Sequence, residues 1–300
     1  MNFSDMWSTI FSFENYAELL PLVSNSLLAG AILGVVGGLI GVFVMTRDMA
    51  FAVHGIAELS FAGAAFALLI GANVIWGSVG GSLIAALLLG ALGTKASDRN
   101  AVTGVLMPFG LGLGILFLSL YEGRSANKFG LLTGQIVSVD SVQLGLLAGG
   151  AVIVIAALLV MWRPLMFASV DPAVAMAKGV PVRGLSIAFM LVLGLAVALS
   201  IQVVGSLLVL ALLITPAAAA LLVSSRPPIV VGLSVLFAMT SVVGGILLSL
   251  AGRLPISPYV TTLSFLIYAI CRTLNWVRRR SYRARARAEH SAHSPEISTT

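Results

Sequence analysis

The chain has 300 residues, of which 59% are hydrophobic and only 9% are charged. Roughly a quarter of a soluble domain's residues are charged, so a water-facing globule of this size is excluded. The net charge of +6 sits mostly in one stretch, Arg278 to Arg287, directly after an apolar run. That placement suits anionic lipid headgroups and argues against nucleic acid. The single Cys271 excludes a disulfide framework and a thiolate metal cluster.

Residues 1–20 hold Asp5, Glu14 and Glu18 among Trp7, Phe11, Phe13 and Tyr16, with no Lys or Arg. A secretory signal needs a basic leader, so this segment reads as an interfacial lead-in helix. A bilayer core requires about 20 apolar residues per helix. On that measure spans fall near 21–45, 50–72, 74–93, 102–120, 143–162, 184–200, 203–224, 228–251 and 257–276. The expected architecture is therefore all-α and polytopic, with about nine transmembrane helices. Segment 21–276 is embedded, and 277–300 is a basic cytoplasmic tail expected to be disordered.

Charge supports that count. With the N-terminus outside, Arg47, Lys95, Arg99, Arg163, Lys178, Arg183, Arg226, Arg272 and the Arg278–Arg287 cluster all face the cytoplasm. Only Arg124, Lys128 and Arg253 fall outside, and the positive-inside rule expects such a bias.

The first span carries Gly30, Gly34, Gly37, Gly38 and Gly41, small residues that let membrane helices approach closely. The second holds RDMAFAVHGIAELSFAG, which sets His54 and Glu58 four residues apart in an apolar segment. Counted from Arg47, Glu58 lies about 16 Å along a continuous helix, close to the bilayer midplane. The two side chains share one face, and an ionised carboxylate at that depth costs several kcal/mol. Three readings fit: a His–Glu hydrogen bond that satisfies itself, a proton relay, or coordination of a divalent metal by imidazole and carboxylate.

Three further segments carry local information. The loop 121–142 has a semi-apolar centre too short to span, which reads as re-entrant or interfacial. The stretch Asp171-Pro172-Ala-Val-Ala175-Met-Ala-Lys178-Gly179 encodes a helix of about two turns: an N-cap, a proline at N1, a cation for the dipole and a C′ glycine. In the seventh span Thr215 and Pro216 predict a kink, since proline removes a backbone hydrogen bond. No phosphate-binding loop of the G-x-x-x-x-G-K-[ST] type is present, so ATP hydrolysis would need another polypeptide.

Taken in order, RDMAFAVHGIAELSFAG, FGLLTGQIVSV, DPAVAMAKGV and VVGSLLVLALLITPAAAA resemble the permease subunit of zinc/manganese/iron-type ABC metal importers, over about residues 20–275. The resemblance implies a type II ABC importer-like bundle in a bacterial cell membrane, with no catalytic residue and no cofactor besides the transported ion. It implies a homodimer, a cytoplasmic ABC ATPase subunit and an extracytoplasmic metal-binding protein. The ion would be held by His54 and Glu58. The helix with Asp171, Pro172, Ala175, Lys178 and Gly179 would couple to the ATPase, and Thr215 and Pro216 would lie near the pore. Zinc or manganese is expected ahead of iron. A permease for a metal chelate and a proton-coupled secondary transporter are the alternatives. This chain departs from the family in two places. Members usually carry Asp where His54 stands and His where Glu58 stands, and Lys or Arg where Gln202 stands.

Overall fold

The computed structural model describes residues 20, 23–92, 96–123, 130–131, 139–206, 208–251 and 256–292. The expected interfacial segment, apart from residue 20, and most of the 121–142 loop lie outside these. Among the described residues the chain is helical, without strands. In hydrocarbon every backbone N–H and C=O must be satisfied within the protein, and a helix achieves this locally. The helices are α1 (Ser24–Thr46), α2 (Ala50–Leu69), α3 (Val74–Leu92), α4 (Ala96–Leu120), α5 (Ser141–Val170), α6 (Pro172–Ala177), α7 (Val182–Val204), α8 (Val209–Leu213), α9 (Thr215–Val223), α10 (Pro227–Leu250) and α11 (Ile256–Ala292).

Eight of them, α1 to α5, α7, α10 and α11, are long and apolar enough to cross a membrane. The short expected span 184–200 is in fact 23 residues long, Val182–Val204. The span expected over 203–224 is not one helix. Gly205 takes φ 80° and ψ 163°, a region essentially reserved for glycine, and this ends α7. The chain resumes as α8 and breaks again at Ile214, and Pro216 then sits in the first turn of α9. Proline is well placed there because that N–H has no helical partner anyway. Pro216 therefore starts a helix rather than kinking one.

This broken segment still traverses the bundle. At its start Gln202 reaches the Val74 carbonyl at the head of α3 (3.5 Å), while Ala217 and Ala220 pack with Val42 and Val230 near the opposite end. The last helix also differs from expectation. It runs past 276 as far as Ala292, because Arg and Ala are strong helix formers and extend it beyond the apolar run.

Two groups of helices make up the core. In one, α2 packs between α3 and α4; in the other, α1 packs on α10, with α9 and α11 beside it. Helices α5 and α7 join the groups, α7 touching α1, α2, α3 and α5. The glycines set the spacing. A Cβ on Gly38 would meet the Val235 backbone, and one on Gly63 the Gly77 carbonyl, so both helix pairs lie at backbone contact. Ser234 locks the first pair by donating to the Gly38 carbonyl at 2.8 Å. The glycine row of the first span is thus a packing surface.

Candidate functional site

Helix α2 owes its position to two arginines. Asp48 adopts φ +52°, so the chain turns between α1 and α2 instead of running straight from Arg47. Arg99, on α4 and buried, donates to the carbonyls of Arg47 (3.1 Å) and Asp48 (3.3 Å). A cation at the C-terminal end of α1 also complements its dipole. Arg47 in turn donates to Ser169 Oγ at 3.2 Å and lies 5.8 Å from the Phe189 ring centroid. Burial, and then the neighbouring Arg99, hold the Arg47 guanidinium below its usual pKa. The sequence reading missed this clamp; its signal was an arginine placed at the head of an apolar span.

Because α2 begins at Ala50, Glu58 lies about 12 Å into a helix about 30 Å long. That places it nearer the arginine end than a count from Arg47 suggests. The structure brings His54 and Glu58 together, with Nε2 and Oε1 3.6 Å apart. This exceeds hydrogen-bond length. His54 Nδ1 and Glu58 Oε2 are both buried and have no hydrogen-bond partner. Leaving such atoms unpaired costs about 1–3 kcal/mol each, so the contact between the two side chains leaves part of the pair's polar capacity unused. Among the described residues no cluster of three or more His, Cys, Asp or Glu forms. Among the described residues the pair thus brings together one imidazole and one carboxylate.

Gly110 on α4 lies against the Glu58 and Leu59 backbone, and Thr103 against Gly55. The spacing His54, Glu58, Phe61, Ala65, Leu68 puts five residues on one face. Phe61 and Ala65, with Leu118, form a buried cluster on the side away from Arg47.

The helix expected around residues 171–179 forms as α6, outside the long helices. Asp171 accepts the N–H groups of Ala173 and Val174, each at 3.0 Å. Gly179 takes φ +83°. Its N–H reaches the Met176 carbonyl (2.9 Å) and that of Val180 reaches Ala175 (3.0 Å), the paired closure of a Schellman motif. Ala175 is fully buried against the bundle, whereas Val174 and Met176 are 45% and 59% exposed. Lys178 caps the helix. Thr215 and Pro216 are carried by α9, whose neighbours are α10, α11 and α1. The pair on α2 instead faces helices of the other group.

A bundle that, among the described residues, is all-helical with eight helices able to cross a membrane defines a multi-pass membrane protein, with a carboxylate buried inside one of those helices. The chain belongs to the ABC 3 transport family, whose pattern matches residues 20–274. It is 30% identical over 228 residues to the manganese transport system membrane protein MntC of Halalkalibacterium halodurans, covering 76% of this chain and 78% of that protein. It is 26% identical over 253 residues to the high-affinity zinc uptake system membrane protein ZnuB of Haemophilus influenzae, covering 84% and 97%. Its fold resembles that of PsaBC from Streptococcus pneumoniae in complex with Fab, with a TM-score of 0.76 at 24% identity over 85% of this chain and 94% of that one.

Proposed function

We propose that this chain is the membrane permease of an ABC importer for a divalent metal ion, zinc or manganese ahead of iron. The observation that carries the reading is the His54–Glu58 pair, with one imidazole nitrogen and one carboxylate oxygen left unpartnered inside an apolar helix. A borderline cation accepts that N/O donor set. Two donors hold an ion weakly, as transport requires, because the ion must also leave. The relatives named for manganese transport and zinc uptake support the same cargo class.

The remaining ligands come from a second copy of this chain in a homodimer, completed by water. The basic end of the bundle faces the cytoplasm, which sets the N-terminus outside and the C-terminus inside. The ion is delivered by an extracytoplasmic metal-binding protein. On the cytoplasmic side the α6 surface, with Val174 and Met176 exposed, receives an ATPase subunit that supplies the hydrolysis this chain cannot perform. His54 and Glu58 exchange the ion's water for imidazole and carboxylate at mid-passage, and the bundle then changes the side to which they open. Thr215 and Pro216 contribute through the broken α8–α9 segment, which can shift as a unit. The basic stretch of α11 rests on anionic lipid.

The test is uptake of radioactive manganese and zinc at limiting concentration by cells carrying His54→Ala with Glu58→Gln. Uptake should fall to the level of cells lacking the permease. Unchanged uptake would remove the pair from the path.

A further inference from the structure

At the end of the bundle opposite Arg47, a cavity of about 500 Å³ opens where α2 and α7 end and α3 and α5 begin. Its polar residues are Asn73, Asp140, Gln143 and Gln202, and among the described residues no Lys, Arg or His lines it. One carboxylate and three carboxamides form an oxygen-rich, net acidic lining. A hard or borderline divalent ion that keeps part of its water shell takes such donors. Three of these four side chains are held in place by hydrogen bonds. Asp140 Oδ1 accepts the Gln143 N–H at 2.6 Å, Asn73 Oδ1 accepts the Ile75 N–H at 2.9 Å, and Gln202 Nε2 donates to the Val74 carbonyl at 3.5 Å.

The cavity also lies in line with the pair on α2. Leu68 is in its wall and shares a helix face with Glu58 and His54, since the stripe 54, 58, 61, 65, 68 repeats every four and three residues. Ten residues separate Leu68 from Glu58, about 15 Å along the helix. Between them sit Phe61 and Ala65, both fully buried, packed with Leu118 and with Leu131, which also lines the cavity. The seal is tight, since a Cβ on Gly114 would strike the Phe61 ring.

We propose that this cavity is a second, all-oxygen station for a divalent cation, separated from His54 and Glu58 by the Phe61 cluster. The proposal rests on the reading of the pair as a cargo site and adds a stage before it. The ion first sits in the cavity with much of its hydration intact, beside a single carboxylate, and exchanges quickly. It gives up that water only when Phe61 moves aside and imidazole becomes available. Dehydration is thereby split into two smaller steps.

The experiment uses the full chain in lipid nanodiscs, titrated with Mn²⁺ while electron paramagnetic resonance follows the free aqua ion. The background is His54→Ala with Glu58→Gln, so that the inner pair does not contribute. A weak Mn²⁺ equivalent should persist there. Asp140→Asn should weaken it at least about tenfold, the order expected on removing a unit charge beside a divalent ion. Asn caps a helix as well as Asp does, so the start of α5 is preserved and circular dichroism should be unchanged. Gln202→Lys, which adds a cation to the lining, should abolish the equivalent. Mn²⁺ binding that neither substitution alters would overturn the station. If replacing the pair leaves metal uptake intact while Asp140→Asn still weakens Mn²⁺ binding, the station stands and the cargo-site reading of the pair fails instead.

Discussion

Helix α6 and the polar pair of α2 are opposite cases of incompleteness. In α6 every polar signal is answered within ten residues: Asp171 caps the start, Gly179 closes the end, and Ala175 seats the helix on the bundle. What is left over is apolar, the exposed side chains of Val174 and Met176. In α2 the core-facing apolar side chains Ile56, Ala57 and Phe61 are fully buried. What is left over there is polar, one nitrogen of His54 and one oxygen of Glu58. The residue left unsatisfied indicates the missing partner. On the proposed reading, the exposed apolar side chains of α6 meet a protein surface, and the unpaired atoms of the α2 pair meet an ion.

The most direct way to break this contrast is at the pair. Glu58→Gln alone should reduce uptake at limiting metal by at least about tenfold to a hundredfold, a range that even outer-sphere partners of a bound metal command. Val174→Glu with Met176→Glu should act differently. Metal binding by the purified chain should remain, while co-purification with an ATPase subunit should be lost, because two buried charges would enter an apolar contact. If the α6 variant instead lost metal binding while assembly survived, the two regions would have been assigned the wrong partners.

A gentler change tests whether the order of ligands matters. His54→Glu with Glu58→His keeps one imidazole and one carboxylate on the same face of α2 but reverses them. Uptake should persist above that of Glu58→Gln, with an altered ratio of zinc to manganese in a competition assay. An unaltered ratio would show that ligand identity alone, and not the register of each donor on the helix, selects the ion.

How much of this was legible in the sequence depends on the range of the interactions involved. The α6 helix was readable because its cap, its Pro172 and its Gly179 act on immediate neighbours. The eight long helices were readable because the bilayer demands length and apolarity of each separately. The pair was visible as a violation of that demand. The break at Gly205 was not, because a glycine in an apolar run serves equally as a packing residue. Only its backbone angles, imposed by the return of α8 and α9 through the bundle, distinguish it. Arg99 and the cavity around Asp140 depend on contacts between residues 52 and 128 positions apart, and no local pattern encodes such a meeting.

The smallest expected effect lies in the part of the comparison taken as complete. Replacing Asp171 by Ala removes the acceptor for two N–H groups of α6, which costs about 1 kcal/mol. Asp171→Asn retains the cap and should differ from the parent by only a few tenths of that unit. Gly179→Ala forces a Cβ into a left-handed backbone, at roughly 1–2 kcal/mol. For a helix of six residues such losses are large locally, yet α6 is held on α5 and α7 and the bundle does not depend on it. Thermal unfolding of the whole chain should therefore be nearly unchanged in all three variants. Limited proteolysis between residues 171 and 181 should quicken in Asp171→Ala and Gly179→Ala but not in Asp171→Asn. ATPase co-purification should fall partly, in the same order. If assembly follows loss of the carboxylate's charge, so that Asp171→Asn is as damaging as Asp171→Ala, then Asp171 itself touches the ATPase and the polar side of α6 is no longer complete within the chain.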